Sequence, residues 1–412
     1  MDFKNKEVFM SKRTTAFVLT LACVILSVLD ISEANTIYVP SVHQSIQEAI
    51  DASNDGDTII VESGVYDENI NINKMVNVIG AGADVTSVGR GEDWPKDAVG
   101  IISDGIIFSG FFVKGAIHCI GASPTIENNV VINKTRNYAI YAEYNWHNGK
   151  KSNPIIQNNF IYGSAYGITL FLSDAIIRNN FIVLNAGYGI HISFFSYPEI
   201  ENNTIANNGY AGVVNTAYSS PSLKNNIISN NGRYGILNYS NGNEIKHSYN
   251  IVSNNQISNY ASYQNSSPVT SNATEVNEDP GLVHSPLWTS NGNVLSENAV
   301  AIDQGFIPEE EKSIGPFKIG NFIQIGFDDF PRAITKIEGN ILSFRPNIKQ
   351  KSVFNSYFAF VNYLGHNRNL NYDWKLRDDS IAVDSGDPEP SYNDTDGSRN
   401  DIGATGGPYS KW

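Results

Sequence analysis

Cysteine is nearly absent: the 412-residue chain carries two, Cys23 and Cys119. Cys23 lies in an apolar stretch near the N-terminus, and once that stretch is removed Cys119 stands alone and no internal disulfide can form. Stability must then come from the core and from backbone hydrogen bonds. Charge is sparse as well, at 17% of residues, and bases are the scarcer sign, 28 Lys and Arg against 42 acids for a formal net charge of −14. A chain of that sign without a basic stripe repels phosphates, which argues against nucleic acid as a partner. Long hydrophobic runs are missing apart from residues 16–29, too short for a membrane span and without stop-transfer charge. Three methionines and scattered histidines give no copper signal.

The apolar run has a context of its own. Lys12 and Arg13 precede it, and Ser32-Glu33-Ala34 follows with a small-x-small cleavage pattern, so residues 1–34 read as an export signal, with an uncleaved anchor as the alternative. Acids and bases balance in this segment, and its removal leaves the net charge unchanged. A secreted or cell-envelope protein with no transmembrane span after signal cleavage is expected.

What the chain does have is Asn, Gly, Ile and Tyr, arranged in repeats. Pro124-Thr-Ile126-Glu-Asn128-Asn129 recurs as Pro154-Ile-Ile156-Gln-Asn158-Asn159, Ala175-Ile-Ile177-Arg-Asn179-Asn180, Pro198-Glu-Ile200-Glu-Asn202-Asn203 and Pro221-Ser-Leu223-Lys-Asn225-Asn226. The second asparagines are spaced by 30, 21, 23 and 23 residues. A second element follows each pair at near-constant phase: Ala139-Ile140, Gly167-Ile168, Gly189-Ile190, Gly212-Val213 and Gly235-Ile236. Short period-2 strands divided by Asn/Gly turns, with no helical stretch between them, exclude a leucine-rich repeat. They predict an all-β fold, a single-stranded right-handed parallel β-helix (solenoid) whose equivalent Ile side chains stack at roughly 4.8 Å.

The opening segments resemble a family. Thr36-Ile-Tyr-Val-Pro40, Ser45-Ile-Gln-Glu-Ala-Ile50, Gly56-Asp-Thr-Ile-Ile-Val61, Gly64-Val-Tyr-Asp-Glu68 and Val78-Ile-Gly-Ala-Gly82 resemble the start of pectin-lyase-like parallel β-helix proteins. The resemblance implies that the Ser-Ile-Gln segment is a short helix capping the open end. Ile46, Ala49 and Ile50 supply the apolar face such a cap needs. It also implies that polysaccharide lyases and uronate epimerases are the activities to look for. Their signatures, an Asp-Pro-His-Glu stretch, Arg-Ile-Lys, Asn-Thr-Asp or an acidic cluster for calcium, are not found.

From about Asn255 the repeat fades. Ala301-Ile-Asp303-Gln-Gly305 and Ile381-Ala-Val-Asp384-Ser-Gly-Asp387-Pro388 both look like closing coils. Between them alternating strands surround Glu338-Gly339-Asn340, a hairpin turn signal. The expected organisation is a signal over 1–34, a β-helix with its cap over 35–305, a small β insertion over 306–362 and a C-terminal closing segment over 363–412. A terminal cap domain that continues the solenoid is the alternative to an insertion.

Repeat phase predicts which side chains point outward. If Ile140, Ile168, Ile190, Val213 and Ile236 face the core, the next residues form an outer column His118, Tyr141, Thr169, His191, Val214, Leu237 facing solvent. A second column reads Glu143, Phe171, Ser193, Thr216, Tyr239. With Tyr144, Trp146 and His147 in a long turn, this face is rich in aromatics, which suit sugar rings, although rings on a β face also simply stack on each other. The carbohydrate-binding candidates are therefore His118, Tyr141, Glu143, Tyr144, Trp146, Phe171, His191 and Tyr239. The acid–base candidates are Tyr141, Glu143, His147 and His191. His118 and His191, three coils apart by roughly 14 Å, cannot share a zinc ion.

Arg178 is better read as a rung of the ladder Glu127, Gln157, Arg178, Glu201, Lys224 than as a lyase base. In the tail, Asp394-Thr-Asp396-Gly397-Ser-Arg-Asn-Asp401, with Asp384 and Asp387, offers oxygens for Ca²⁺, or else an Asx-rich turn. Asn-x-Ser/Thr acceptors occur at Asn133, Asn202, Asn238, Asn265, Asn272 and Asn393. Three functions fit: a polysaccharide-binding β-helix, a diverged polysaccharide lyase or uronate epimerase, and a structural surface-layer or adhesion rod.

Overall fold

The computed structural model describes residues 34–90, 97–133, 138–241, 243–263, 266–286, 288–302, 317–325, 331–348, 359–365 and 372–412. The chain divides into two compact units, Met1–Asn35 and Thr36–Trp412, and the elements that follow belong to the second. The expected signal falls almost wholly outside the described residues.

Each coil gives one short strand to each of three sheets, because Asn or Gly turns interrupt the chain every few residues. Among the described residues, sheet A has ten strands, from Thr36–Val39 to Lys246–Ser248. Sheet B has nine, from Gly64–Tyr66 to Ile251–Ser253, and sheet C nine, from Ile70–Ile72 to Ser258–Ser262. Strands of successive coils pair in parallel, Ile126 beside Ile156 and Ile140 beside Ile168. The protein is the right-handed parallel β-helix its repeats predict.

The core is a set of aliphatic stacks. Ile126, Ile156, Ile177, Ile200 and Leu223 of sheet A, Val131, Ile161, Ile182, Ile205 and Ile228 of sheet B, and Ile140, Ile168, Ile190, Val213 and Ile236 of sheet C are all fully buried. Each such side chain contributes about 1.5–3 kcal/mol when removed from water. Cys119 points into the same core, where burial pushes its thiol pKa up. The glycine that precedes Ile168, Ile190, Val213 and Ile236 has a steric reason. A Cβ on Gly189 would lie 2.5 Å from Ile205 Cγ2 and 2.7 Å from the Gly212 carbonyl.

The turn between sheets A and B carries the Asn pairs. The first member takes the left-handed conformation, φ 54° at Asn158 and Asn179 and 52° at Asn202, which Asn tolerates better than other non-glycine residues. The second points inward and bonds the next coil. The backbone N–H of Asn159 donates to Asn180 Oδ1, Asn180 to Asn203 and Asn203 to Asn226, each at 3.0 Å. A second ladder, not anticipated, runs through Asn185, Asn208, Asn231 and Asn255 in the turn before sheet C.

Both ends of the solenoid are closed. The helix Ile46–Ala52 covers the first coil with Ile46, Ala49 and Ile50 buried. Ser45 Oγ accepts the Glu48 N–H, and the Glu68 carboxylate accepts those of Ile46 and Gln47. At the other end His247 follows Leu223 in the inward register of sheet A, and a salt bridge of 2.8 Å ties it to Glu275. Glu275 Oε1 also accepts the Asn250 amide that ends the first ladder.

Beyond the coils, six antiparallel strands close into a barrel: Trp288–Ser296, Ala299–Ile302, Phe322–Ile325, Arg332–Glu338, Ile341–Arg345 and Ala359–Gly365. Its own core holds Val300, Ile323, Ile334, Leu342, Phe344 and Val361. The first two strands lie upstream of residue 306, so the barrel takes in Ala301-Ile302, expected in a closing coil. Their alternation is the same in either setting, and only antiparallel pairing with Ile341–Arg345 decides between them.

The tail then runs back along the side of the β-helix. Asn179 Nδ2 donates to the Ala404 carbonyl, Asn202 to Asn400 Oδ1 and Asn158 to the Tyr409 carbonyl. Trp374 Nε1 donates to Asn207 Oδ1. The left-handed asparagines thus serve the tail as well as the turns. Of the Asn-x-Ser/Thr sites, Asn133, Asn202 and Asn238 are buried, and Asn265 lies outside the described residues.

Candidate functional site

Sheet C carries the site. In-register pairing places His118 beside Tyr141, Tyr141 beside Thr169 and Thr169 beside His191, as the repeat phase predicts. Glu143 lies beside Phe171 and Phe171 beside Ser193. The outer column does not face open solvent as expected. Val214 and Leu237 are buried against Tyr188, Tyr210, Tyr234 and Tyr239, which lie over them as a second layer. A β surface with aromatics at alternate positions covers itself, so pointing away from the core is not the same as exposure.

At its N-terminal end the face holds a charged cluster. His118 Nδ1 donates to Asp97 Oδ2 at 2.7 Å and Nε2 to Glu143 Oε1 at 3.0 Å. Burial alone would pull the imidazole pKa down, but the two carboxylates outweigh it and hold it at about 9, so both nitrogens carry protons at neutral pH. Glu143 is lowered in turn, first by His118, against burial and with help from Tyr141. The Tyr141 ring stacks on His118 at 4.9 Å between centroids, and Tyr138 packs 4.3 Å from Tyr141. Burial and then Glu143 push the Tyr141 phenol up. Asp97 was not anticipated: it precedes its strand outside the repeat, and no spacing marks it.

The other candidates spread along the solenoid. Tyr144 packs edge-on to Trp146 at 4.9 Å, Trp146 lies 6.3 Å from Phe171, and Phe171 lies 4.5 Å from Phe194. His147 sits on the exposed turn closed by Asn145 and Lys150, outside the hydrogen bonds of the cluster. His191 lies among Tyr166 and Tyr188, and burial lowers its pKa to about 4, which makes it neutral at physiological pH. Two histidines of one column are thus held in opposite charge states. Tyr239 packs against Tyr263 with ring centroids 4.5 Å apart, several coils from His118.

The turn leaving sheet C adds what sequence reasoning missed. Leu172, Phe194, Phe195, Ala217 and Tyr218 all have φ between 47° and 62°. A bulky residue in that region costs roughly 1–2 kcal/mol, and most other non-glycine left-handed positions of the solenoid are Asn, with Leu184 and Tyr249 the exceptions. Phe194, Phe195 and Tyr218 are each 47% exposed and Trp146 70%. The Phe195 and Tyr218 rings stack at 5.3 Å with 10° between planes. Single sequences do not report φ, so no signal short of the structure marks these rings as outward.

Arg178 is not available as a base. Its Nε donates to Gln157 Oε1 at 2.8 Å, and its guanidinium lies 3.5 Å from the Tyr409 ring centroid. The ladder also breaks at Lys224, which turns to Asp387 at 3.0 Å and Tyr392 at 3.1 Å in the tail.

The tail acids close turns. Asp394 accepts the backbone N–H groups of Asp401 and Gly407, Asp401 accepts that of Asp384, and Asp396 accepts from Ser398. Asp387 holds Lys224 and the Glu389 N–H. Burial, opposed by the Gly407 bond and assisted by Asp401, raises Asp394 to about 6. Calcium needs several oxygens converging on one point. Among the described residues no group of three or more His, Cys, Asp or Glu is placed to hold a metal ion. No helix among them is long and apolar enough to cross a membrane.

Residues 115–300 match the family model for the right handed beta helix region. No curated protein matches the sequence. Among solved structures, the A-module of the Azotobacter vinelandii mannuronan C-5 epimerase AlgE4 is 15% identical. The alignment covers 57% of this chain and 95% of that one, with a TM-score of 0.29. The ORF18 protein of Geobacillus virus E2 is 12% identical over 93% of this chain and 83% of its own, TM-score 0.34. A PL6 family alginate lyase, AlyGC, is 12% identical over 61% and 54%, TM-score 0.20.

Proposed function

We propose that this protein is exported and binds polysaccharide on the outer face of sheet C. The observation that carries the reading is the cluster of Tyr138, Tyr141, His118 and Glu143, continuous in the coils that follow with Trp146, Phe171 and Phe194. Flat rings beside fixed polar groups match sugars, which present apolar C–H faces and hydroxyl edges. Fixed geometry supports this: His118 is locked between two carboxylates, and Tyr141 is held by stacking, so little side-chain freedom is lost on binding. A glycan array with the intact protein and with Tyr141→Ala and Trp146→Ala tests it. Binding of one glycan class, weakened about tenfold or more in both variants, is expected. A blank array, or unchanged binding by both variants, overturns it.

A lyase or epimerase is favoured by one observation, the convergence of Asp97, His118, Glu143 and Tyr141 within hydrogen-bond reach. Its chemistry is poorly matched to proton abstraction. His118 is protonated on both nitrogens, Tyr141 is pushed up and Glu143 lowered, so none of these three titrates near neutrality. Following unsaturated products or epimerisation with uronate polymers tests this second reading, and turnover abolished by Glu143→Gln would establish it.

A further inference from the structure

Three aromatic side chains at the turn leaving sheet C are displayed to solvent at a backbone cost the fold does not require, and Trp146, 70% exposed, stands at the same turn of an earlier coil. Phe194, Phe195 and Tyr218 occupy left-handed positions, φ 53°, 51° and 62°, whereas the other two turns of the coil mostly place Asn there, with Leu184 and Tyr249 the exceptions. The turn itself is held by other groups. Ser173 N–H donates to Ser196 Oγ and Ser196 N–H to Ser219 Oγ, at 3.0 and 3.1 Å. The Phe195 N–H donates to the Ala217 carbonyl at 3.0 Å. Glycine or asparagine would satisfy every one of these bonds with less strain. The rings nonetheless sit there, about half exposed, Phe194 and Phe195 on one coil and Tyr218 on the next.

The lysines that follow Trp146 in the chain are neutralised. Lys151 pairs with Asp174 at 2.8 Å and lies 5.6 Å from the Tyr197 ring, while Lys150 pairs with Asp104. Among the described residues, Lys150 and Lys151 near the turn are thus each paired with a carboxylate, and the whole chain carries −14. A polyanionic glycan is therefore disfavoured along this line. Because neighbouring coils are separated by roughly 4.8 Å, rings repeated from coil to coil form a track parallel to the solenoid axis.

We infer that Trp146, Phe194, Phe195 and Tyr218 form a linear track that stacks on an extended, uncharged polysaccharide chain lying along the solenoid. This deepens the polysaccharide reading and rests on it. The sheet C cluster holds a local part of the chain, and the track adds length, so affinity grows with the number of sugar units engaged.

Affinity electrophoresis of the intact protein tests the track. The gels contain galactomannan, glucomannan or xyloglucan as uncharged polymers, and alginate or polygalacturonate as charged ones. The variant is Phe195→Asn with Tyr218→Asn, which removes both rings and keeps residues that accept positive φ. The expected result is retardation by at least one uncharged polymer, reduced about tenfold in the variant, with the thermal unfolding midpoint unchanged or raised. Oligosaccharides cut from the same polymer should compete equally well against both proteins. If no polymer retards the unmodified protein, the polysaccharide reading falls and the track with it. Equal retardation of the variant overturns the track alone, and retardation only by the charged polymers overturns the uncharged ligand. A variant that loses stability in step with binding assigns the rings a structural role and also overturns the track.

Discussion

The side-chain amide of Asn203 donates to the side-chain carbonyl of Asn226 on the next coil across 3.0 Å. The same nitrogen donates to the Ile177 carbonyl on the coil before, at 2.8 Å, so one buried side chain stitches three coils together. The left-handed neighbour Asn202 faces the other way, toward Asn400 of the tail.

Replacing Asn203 by Ala should leave the Asn180 backbone N–H without its acceptor in the interior and remove the side-chain donor to the Ile177 carbonyl and Asn226 Oδ1. A loss of about 2–4 kcal/mol is expected, since each orphaned buried group costs about 1–3 kcal/mol. Asn202→Gly keeps the backbone conformation and loses mainly the bond to the tail, so it should cost about 1 kcal/mol. Urea denaturation of both variants measures the difference. Equal effects would mean that the inner ladder is no more important than the tail contact.

His118 makes stability depend on pH in the alkaline range. Its folded pKa of about 9 lies above the ordinary 6.5, so its contribution is fully present below pH 6.5 and is lost as pH rises through 9. The shift corresponds to about 3 kcal/mol, discounted to about 2 because both carboxylates are a quarter exposed. The contributions of His191, lowered to about 4 from 6.5, and of Asp394, raised to about 6, change mainly below pH 7.5, so the range above that pH reports His118. Unfolding free energies between pH 7.5 and 9.5 should fall in the unmodified protein and stay nearly flat in His118→Asn. A parallel slope in both would locate the dependence elsewhere.

Glu275 acts in the opposite direction. Its buried carboxylate would be raised by desolvation, but bonds from His247, Asn250 and Tyr260 hold it below the usual range. Its contribution is therefore present above the unfolded carboxylate pKa and is lost as pH falls. Glu275→Ala should cost about 3 kcal/mol at pH 7, because three groups lose their acceptor at the end of the core. It should also be less sensitive than the unmodified protein to acidification from pH 7 to 4. Denaturant titrations at the two pH values decide.

Much of the molecule is legible in its repeats because a solenoid copies local information. The spacing of Asn129, Asn159, Asn180, Asn203 and Asn226 sets register, and register places Ile140, Ile168 and Ile190 inside and His118, Tyr141, Thr169 and His191 outside. Ile46, Ala49 and Ile50 mark the capping helix by the same kind of periodicity. Asp97 is illegible because it belongs to no repeat, and its role exists only through contact with His118 on the neighbouring coil. The tail is illegible for a related reason: Tyr409 meets Arg178 across more than two hundred residues, and no local pattern encodes that return.

Sequence alone determined the coil, the phase of its side chains and the inward placement of Cys119, since each follows from alternation and spacing within about one turn of the solenoid. Tertiary structure decided exposure and charge. Val214 and Leu237 are outward yet covered, Phe195 and Tyr218 are turn residues yet displayed, and His118 and His191 share a column yet hold opposite protonation states. These properties depend on what neighbouring coils and the returning chain place against each side chain, and that is set by long-range packing and desolvation rather than by residue type.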